Sequence, residues 1–182
     1  MDDCGDRERL AVHLLAMRYF AQYKKMHDEL QFGTPSMLQH LPELQKLLAE
    51  FETRSVLDYG CGNGLQYLQP SAARCFEGIT VLKYDPPAGY VSLPRHKVDG
   101  VICTDVLEHV PIDELPHVAG EIFHAASKWV FASVCCRKAK KKFPGGENTH
   151  ATVMPITAWR NCLYQWGHSY APDLHFVLVE SP

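Results

Sequence analysis

An α/β fold, a mostly parallel sheet with helices on both faces, is what this sequence predicts, and three observations predict it. Apolar runs at Ser55–Leu57, Ile79–Tyr84 and Val98–Thr104 each lead into an acid, Asp58, Asp85 and Asp105. Segments with helical spacing of apolar residues alternate with those runs. Gly60, Gly62 and Gly64 follow the first run at alternate positions, where a backbone without Cβ atoms can turn sharply. A length of 182 residues suits one domain, 1–182, with residues 1–53 a helical cap and 54–182 the core.

The elements follow in order. Leu10, Leu14, Met17 and Ala21 recur at helical spacing over 7–30, with Phe20, Tyr23 and Met26 beside them. A turn at 31–36 precedes a second helix with the stripe Leu41, Leu44, Leu48 and Phe51. The first strand and its glycine turn come next, then a short helix limited by Pro70. Between Asp85 and the strand from Val98 lie only the dozen residues 86–97, too few for another helix and strand, so the sheet is trimmed at that edge. Pro111 suits the first turn of a helix, with Asp113 and Glu114 at its positive end and Leu115, Val118, Ile122, Phe123 and Ala126 as its buried stripe. Trp129–Val134 reads as a strand finished by Cys135 and Cys136, Thr157–Trp166 as a helix closed by Gly167, and Leu174–Glu180 as the last strand.

Composition excludes several classes. A net charge of −3 gives no general attraction to nucleic acid or to anionic membranes. No apolar run reaches the roughly 18–20 residues that span a bilayer. The polar, acidic N-terminus does not read as a secretion signal. Seven scattered cysteines without a C-x-x-C pair argue against a zinc module and a disulfide framework, and for a reducing, cytoplasmic setting.

The chemistry starts at Asp58-Tyr59-Gly60-Cys61-Gly62-Asn63-Gly64. A strand ending in an acid, a glycine turn and a following helix make a nucleotide-type cofactor loop, whose helix end favours anionic groups. Asp85, at the end of the second strand, is placed to accept hydrogen bonds from ribose hydroxyls. A nicotinamide dinucleotide would need G-x-G-x-x-G and a second mononucleotide half; here the spacing is G-x-G-x-G, and Asp58 would repel a pyrophosphate but attract an ammonium. With Val98–Asp105 running into Val106-Leu107-Glu108-His109, these motifs resemble the class I S-adenosylmethionine-dependent methyltransferases, and among them the small-molecule, quinone-biosynthesis-like branch.

The resemblance, which covers about residues 55–135, implies a Rossmann-like fold and S-adenosylmethionine as cofactor. It implies Asp58, Gly60, Gly62 and Gly64 around the methionine and ribose, Asp85 on the ribose diol, and Cys103, Thr104 and Asp105 near the sulfur. No second acid matches the usual adenine contact, which leaves the loop from Pro86 to Tyr90 along the adenine edge and backbone groups near Leu93 or His96. Tyr23, His27 and Phe32 are expected to face the acceptor pocket. His109 and His150 are the catalytic candidates, His109 through an imidazole pKa suited to a general base.

Asp105, Glu108, His109 and His150 form D-x-x-E-H with a later histidine, a mixed oxygen and imidazole set that suits magnesium, manganese or iron over a structural zinc. The alternative is that Asp105 and Glu108 hydrogen-bond the loop and cofactor. The expected activity is methyl transfer to a hydroxyl, amine or carboxyl of a small metabolite, which the run Arg137–Lys142 would attract were it anionic, unless that run is a solvated loop. Two alternatives stay open. One is a metal-dependent RNA terminal 2′-O-methyltransferase, since the metal pattern is similar to theirs. The other is a non-catalytic methyltransferase-fold partner subunit.

Overall fold

The computed structural model describes residues 19–29 and 36–181, with residues 168–170 as backbone alone. Leu10, Leu14 and Met17 of the expected first helix, and Phe32, lie outside the described residues. Helix α1 spans Phe20–Asp28 and α2 Leu41–Glu50, the latter entered through a 3-10 turn at Ser36–His40. Strand β1 (Ser55–Tyr59), helix α3 (Pro70–Cys75), β2 (Thr80–Tyr84), β3 (Val98–Thr104), α4 (Leu115–Ala125), β4 (Ala126–Val134), α5 (Ile156–Tyr170) and β5 (His175–Glu180) complete the order. Five parallel strands pair as β2-β1-β3-β4-β5. The sheet is a trimmed, Rossmann-like α/β sheet.

Period-two alternation along the strands divides the core between two faces. Val56, Ile102, Trp129 and Phe131 pack with Leu44, Leu47 and Leu48 of α2 and with Ala72 and Cys75 of α3. Leu57, Val101, Cys103, Val130 and Ala132 pack with Leu115, Val118, Ile122 and Phe123 of α4 and with Trp159 and Leu163 of α5. The chain leaves β1 towards β2 on one side and returns to β3 on the other. That reversal opens a crevice beyond the carboxyl ends of β1 and β3, where such sheets bind ligands.

Several local expectations are corrected. Pro70 opens α3 instead of limiting a helix, because its fixed φ and missing N–H suit a first turn. The glycine turn therefore leads into a single 3-10 turn, Leu65–Leu68, too short to present the helix end expected there. Pro111 heads a separate turn, its carbonyl accepting from the N–H groups of Glu114 and Leu115, and α4 starts only at Leu115. Ala126 belongs to β4, which ends at Val134, so Cys135 and Cys136 follow the strand. Gly167 lies inside α5: a Cβ there would stand 2.6 Å from the Phe123 ring, so its glycine serves the close approach of α5 to α4.

Candidate functional site

The crevice holds a cavity of about 650 Å³, within the ordinary range for small-molecule sites. The glycine turn forms one wall. The Tyr84 carbonyl accepts from the N–H groups of Gly60 and Cys61, which ties the turn to the end of β2. Gly60 has φ +81°, and a Cβ there would lie 2.1 Å from a Val106 methyl, so only glycine fits. Asp85 stands beside the turn and accepts from the N–H of Gly62 at 2.8 Å and of Ala88 at 3.1 Å. Burial raises its pKa, against the opposing pull of His27, whose Nε2 is 3.7 Å away, and of those two N–H groups.

Helix α1 roofs the cavity. Phe20, Tyr23 and His27 recur three and four residues apart and all face it. At one end His27 meets Asp85. At the other, the Tyr23 hydroxyl donates to the Thr149 carbonyl at 2.6 Å and lies 3.0 Å from His109 Nδ1. Phe143, buried in the loop after β4, stacks on Tyr19 at 4.9 Å and meets the Tyr23 ring at 5.1 Å.

Of the residues singled out from sequence, Gly60, Gly62, Asp85, Thr104, Asp105, His109, Tyr23 and His27 line the cavity. Asp58, Gly64, Cys103, Glu108 and His150 are not on its wall. Asp58 is buried behind the turn, its carboxylate accepting from Gln66 Nε2 and from the Tyr67 hydroxyl, both at 2.8 Å. Burial lifts its pKa to about 6 despite those two bonds. Cys103 points into the core on the α4 face, as strand alternation requires. Leu93 and His96 stay off the wall too, while Pro86 and Pro87 are on it. No sequence signal marked Tyr59 and Glu121, which share a hydrogen bond on the cavity wall, or His117 3.4 Å from Glu121.

The expected ligand set regroups. Asp105 takes a left-handed φ of +54°, its Oδ1 accepts from the hydroxyls of Ser133 and Ser181, and it is not among the residues whose ligand atoms converge. The turn that follows is a 3-10 turn over Leu107–His109. Glu108, His109 and His150 do converge, their potential ligand atoms all within 4.8 Å of one another. Glu108 is fully buried, and burial together with Asp105 raises its pKa to about 8. Burial lowers His109 to about 4, opposed by its bond to Thr149 and reinforced by His150, so it is neutral at pH 7. The run Arg137–Lys142 contributes nothing to the wall, which among the described residues carries no lysine or arginine.

Asp85 keeps a lone pair on each oxygen for two hydroxyls, and Gly60 and Gly62 line the cavity beside it. That donor and acceptor set fits a nucleoside whose ribose meets the acid. Residues 34–170, three quarters of the chain, match the protein family described as "Methyltransferase domain". No curated protein matches the chain. On the extent of that match, the chain belongs to this methyltransferase family, and it is an S-adenosylmethionine-dependent methyltransferase.

Proposed function

We propose that this enzyme methylates a hydroxyl, amine or carboxyl of a small metabolite held under helix α1. Bound S-adenosylmethionine supplies a methyl group on a sulfonium sulfur that leaves as a neutral thioether. Asp85 would hold the ribose diol, Gly60–Gly62 the methionine side, and Thr104 and Asp105 the edge near the sulfur. Asp58 acts from behind, fixing Gln66, which also donates to the Cys61 carbonyl at 3.0 Å and so holds the turn. The observation that carries the reading is that Asp85 and His109 line one and the same cavity.

His109 acts on the acceptor through Nε2, because its Nδ1 side meets Thr149 and Tyr23. It either takes the hydroxyl proton itself or carries a divalent cation that acidifies it. Aromatic rings from Tyr19, Phe20 and Tyr23 exclude water from the same space. Among the described residues no lysine or arginine stands on the wall, which supports a small acceptor held without a cationic clamp. Among the described residues no helix is long and apolar enough to cross a membrane. Six free cysteines among those residues support a reducing compartment, the cytoplasm.

Calorimetry with S-adenosylhomocysteine tests the cofactor half. Asp85→Ala should weaken binding about tenfold or more, the worth of hydrogen bonds to a charged group. Absence of binding to the wild type, or unchanged affinity in the variant, would sink it. His109→Ala should leave that affinity within about twofold and abolish turnover of a methylated metabolite.

A further inference from the structure

Glu108 is the one fully buried carboxylate of the cluster, and its two oxygens differ. Oε1 accepts from the Cys135 N–H at 3.0 Å, whereas Oε2 is buried without a hydrogen-bond partner. A buried carboxylate oxygen left in that condition is costly unless a cation or donor meets it.

The two imidazoles nearby are oriented by the same device. His109 Nδ1 lies 2.9 Å from the Thr149 carbonyl oxygen, and His150 Nδ1 lies 2.5 Å from the Arg137 carbonyl oxygen. A carbonyl can only accept, so each ring carries its proton on Nδ1 and leaves the Nε2 lone pair available. Backbone carbonyls that fix the tautomer in this way are the usual support behind metal-ligating histidines. The rings meet edge to face with centroids 4.9 Å apart. Ligands held about 2.0–2.2 Å from one ion stand roughly 3–4 Å apart. One ligand atom from each residue already lies within 4.8 Å of the other two, so only a small closure is needed to reach that.

We propose that Glu108, His109 and His150 bind one divalent transition-metal ion, with open coordination positions facing the cavity through His109. One carboxylate and two imidazoles favour manganese, iron, cobalt or zinc over magnesium, which prefers an all-oxygen shell. Asp105 lies outside the converging set, its Oδ1 accepting from the hydroxyls of Ser133 and Ser181. Three protein ligands leave room for two neighbouring oxygens of an acceptor.

Resting on the methyltransferase reading, the site deepens it by naming the acceptor class: a hydroxyl beside a second oxygen, both within reach of one ion. The ion lowers the pKa of the hydroxyl, whose proton leaves to the bulk solvent outside the cavity. The oxygen's electron pair then forms the new C–O bond, the C–S bond breaks, and its pair stays on sulfur. Protons and charge balance without another reactant.

The test uses the full-length chain stripped with chelator and titrated with manganese(II), following loss of the free-ion signal by electron paramagnetic resonance. One ion per chain is expected in the wild type, with affinity at least tenfold weaker in His150→Ala and in Glu108→Gln. Thermal unfolding checks that both variants fold, and His150, being only half-buried, secures one that does. S-adenosylhomocysteine affinity, measured in parallel, should stay within about twofold in His150→Ala. Failure of wild type to take up manganese, cobalt or zinc overturns the metal site, as does equal affinity in the variants. A wild type that binds the metal but not S-adenosylhomocysteine overturns the methyltransferase reading instead.

Discussion

At the amino ends of the strands, Asp99 accepts from the backbone N–H of Arg54 at 2.7 Å and of Ser55 at 3.1 Å and pairs with Lys128 at 3.0 Å, while at the carboxyl ends Asp58, Asp85 and Glu108 lie buried with no lysine or arginine paired to them among the described residues. Burial works to raise Asp99, but those N–H groups and the Lys128 ammonium outweigh it and hold the carboxyl below its ordinary value. Lys128 also donates to the Phe51 carbonyl, and Trp129 Nε1 to Thr53, so this end is laced shut. The other end does the reverse: burial pushes all three acids up. One end of the sheet uses charge to hold the fold. The other keeps charge under-compensated, where a cationic ligand or an ion supplies what the protein withholds.

The contrast can be broken most forcefully at Gly60. Gly60→Ala drives a Cβ into Val106 at a positive φ, so S-adenosylhomocysteine affinity should fall about a hundredfold and stability by about 2–4 kcal/mol. Calorimetry and urea unfolding read the two losses separately.

Asp58 sharpens the comparison through pH. Its folded pKa of about 6 lies above the ordinary 3.8, so between those values the folded protein holds a proton the unfolded chain has released. Stability should therefore rise as pH falls from about 7 to about 4, by about 3 kcal/mol from this group alone. Urea midpoints of wild type and Asp58→Asn compared across that window isolate the increment. Parallel pH profiles would assign it elsewhere.

Asp99→Ala should remove about 2 kcal/mol of stability and leave cofactor affinity unchanged, the converse of Asp85→Ala. The smallest effect is expected from Tyr23→Phe, which deletes the hydroxyl on Thr149 and His109 but keeps the ring on Phe143. Its measurable consequence is a rise in the acceptor KM of about threefold to tenfold, with S-adenosylhomocysteine affinity intact.

The strands were legible because each is an apolar run stopped by an acid, and a buried parallel strand leaves that trace without help from distant residues. The trimmed edge was legible from arithmetic on residues 86–97. Prolines and glycines were read less well, since each has two meanings. Pro70 starts a helix where it was expected to stop one, and Gly167 packs where it was expected to terminate. The site shows the same division. Spacing placed Glu108 beside His109, but the side chains that turn Asp105 away, Ser133 and Ser181, are 28 and 76 residues distant. Nor does any local pattern announce that Tyr23 reaches Thr149 across 126 residues.

Tyr23 and His27 sit one turn apart on α1, yet one addresses the His109 end of the cavity and the other the Asp85 end. A single rigid segment thus takes part in both halves of the site. A substitution that displaces α1 therefore loosens two contacts at once, His27 on Asp85 and Tyr23 on His109 and Thr149, so neither half of the site is altered from this helix without the other.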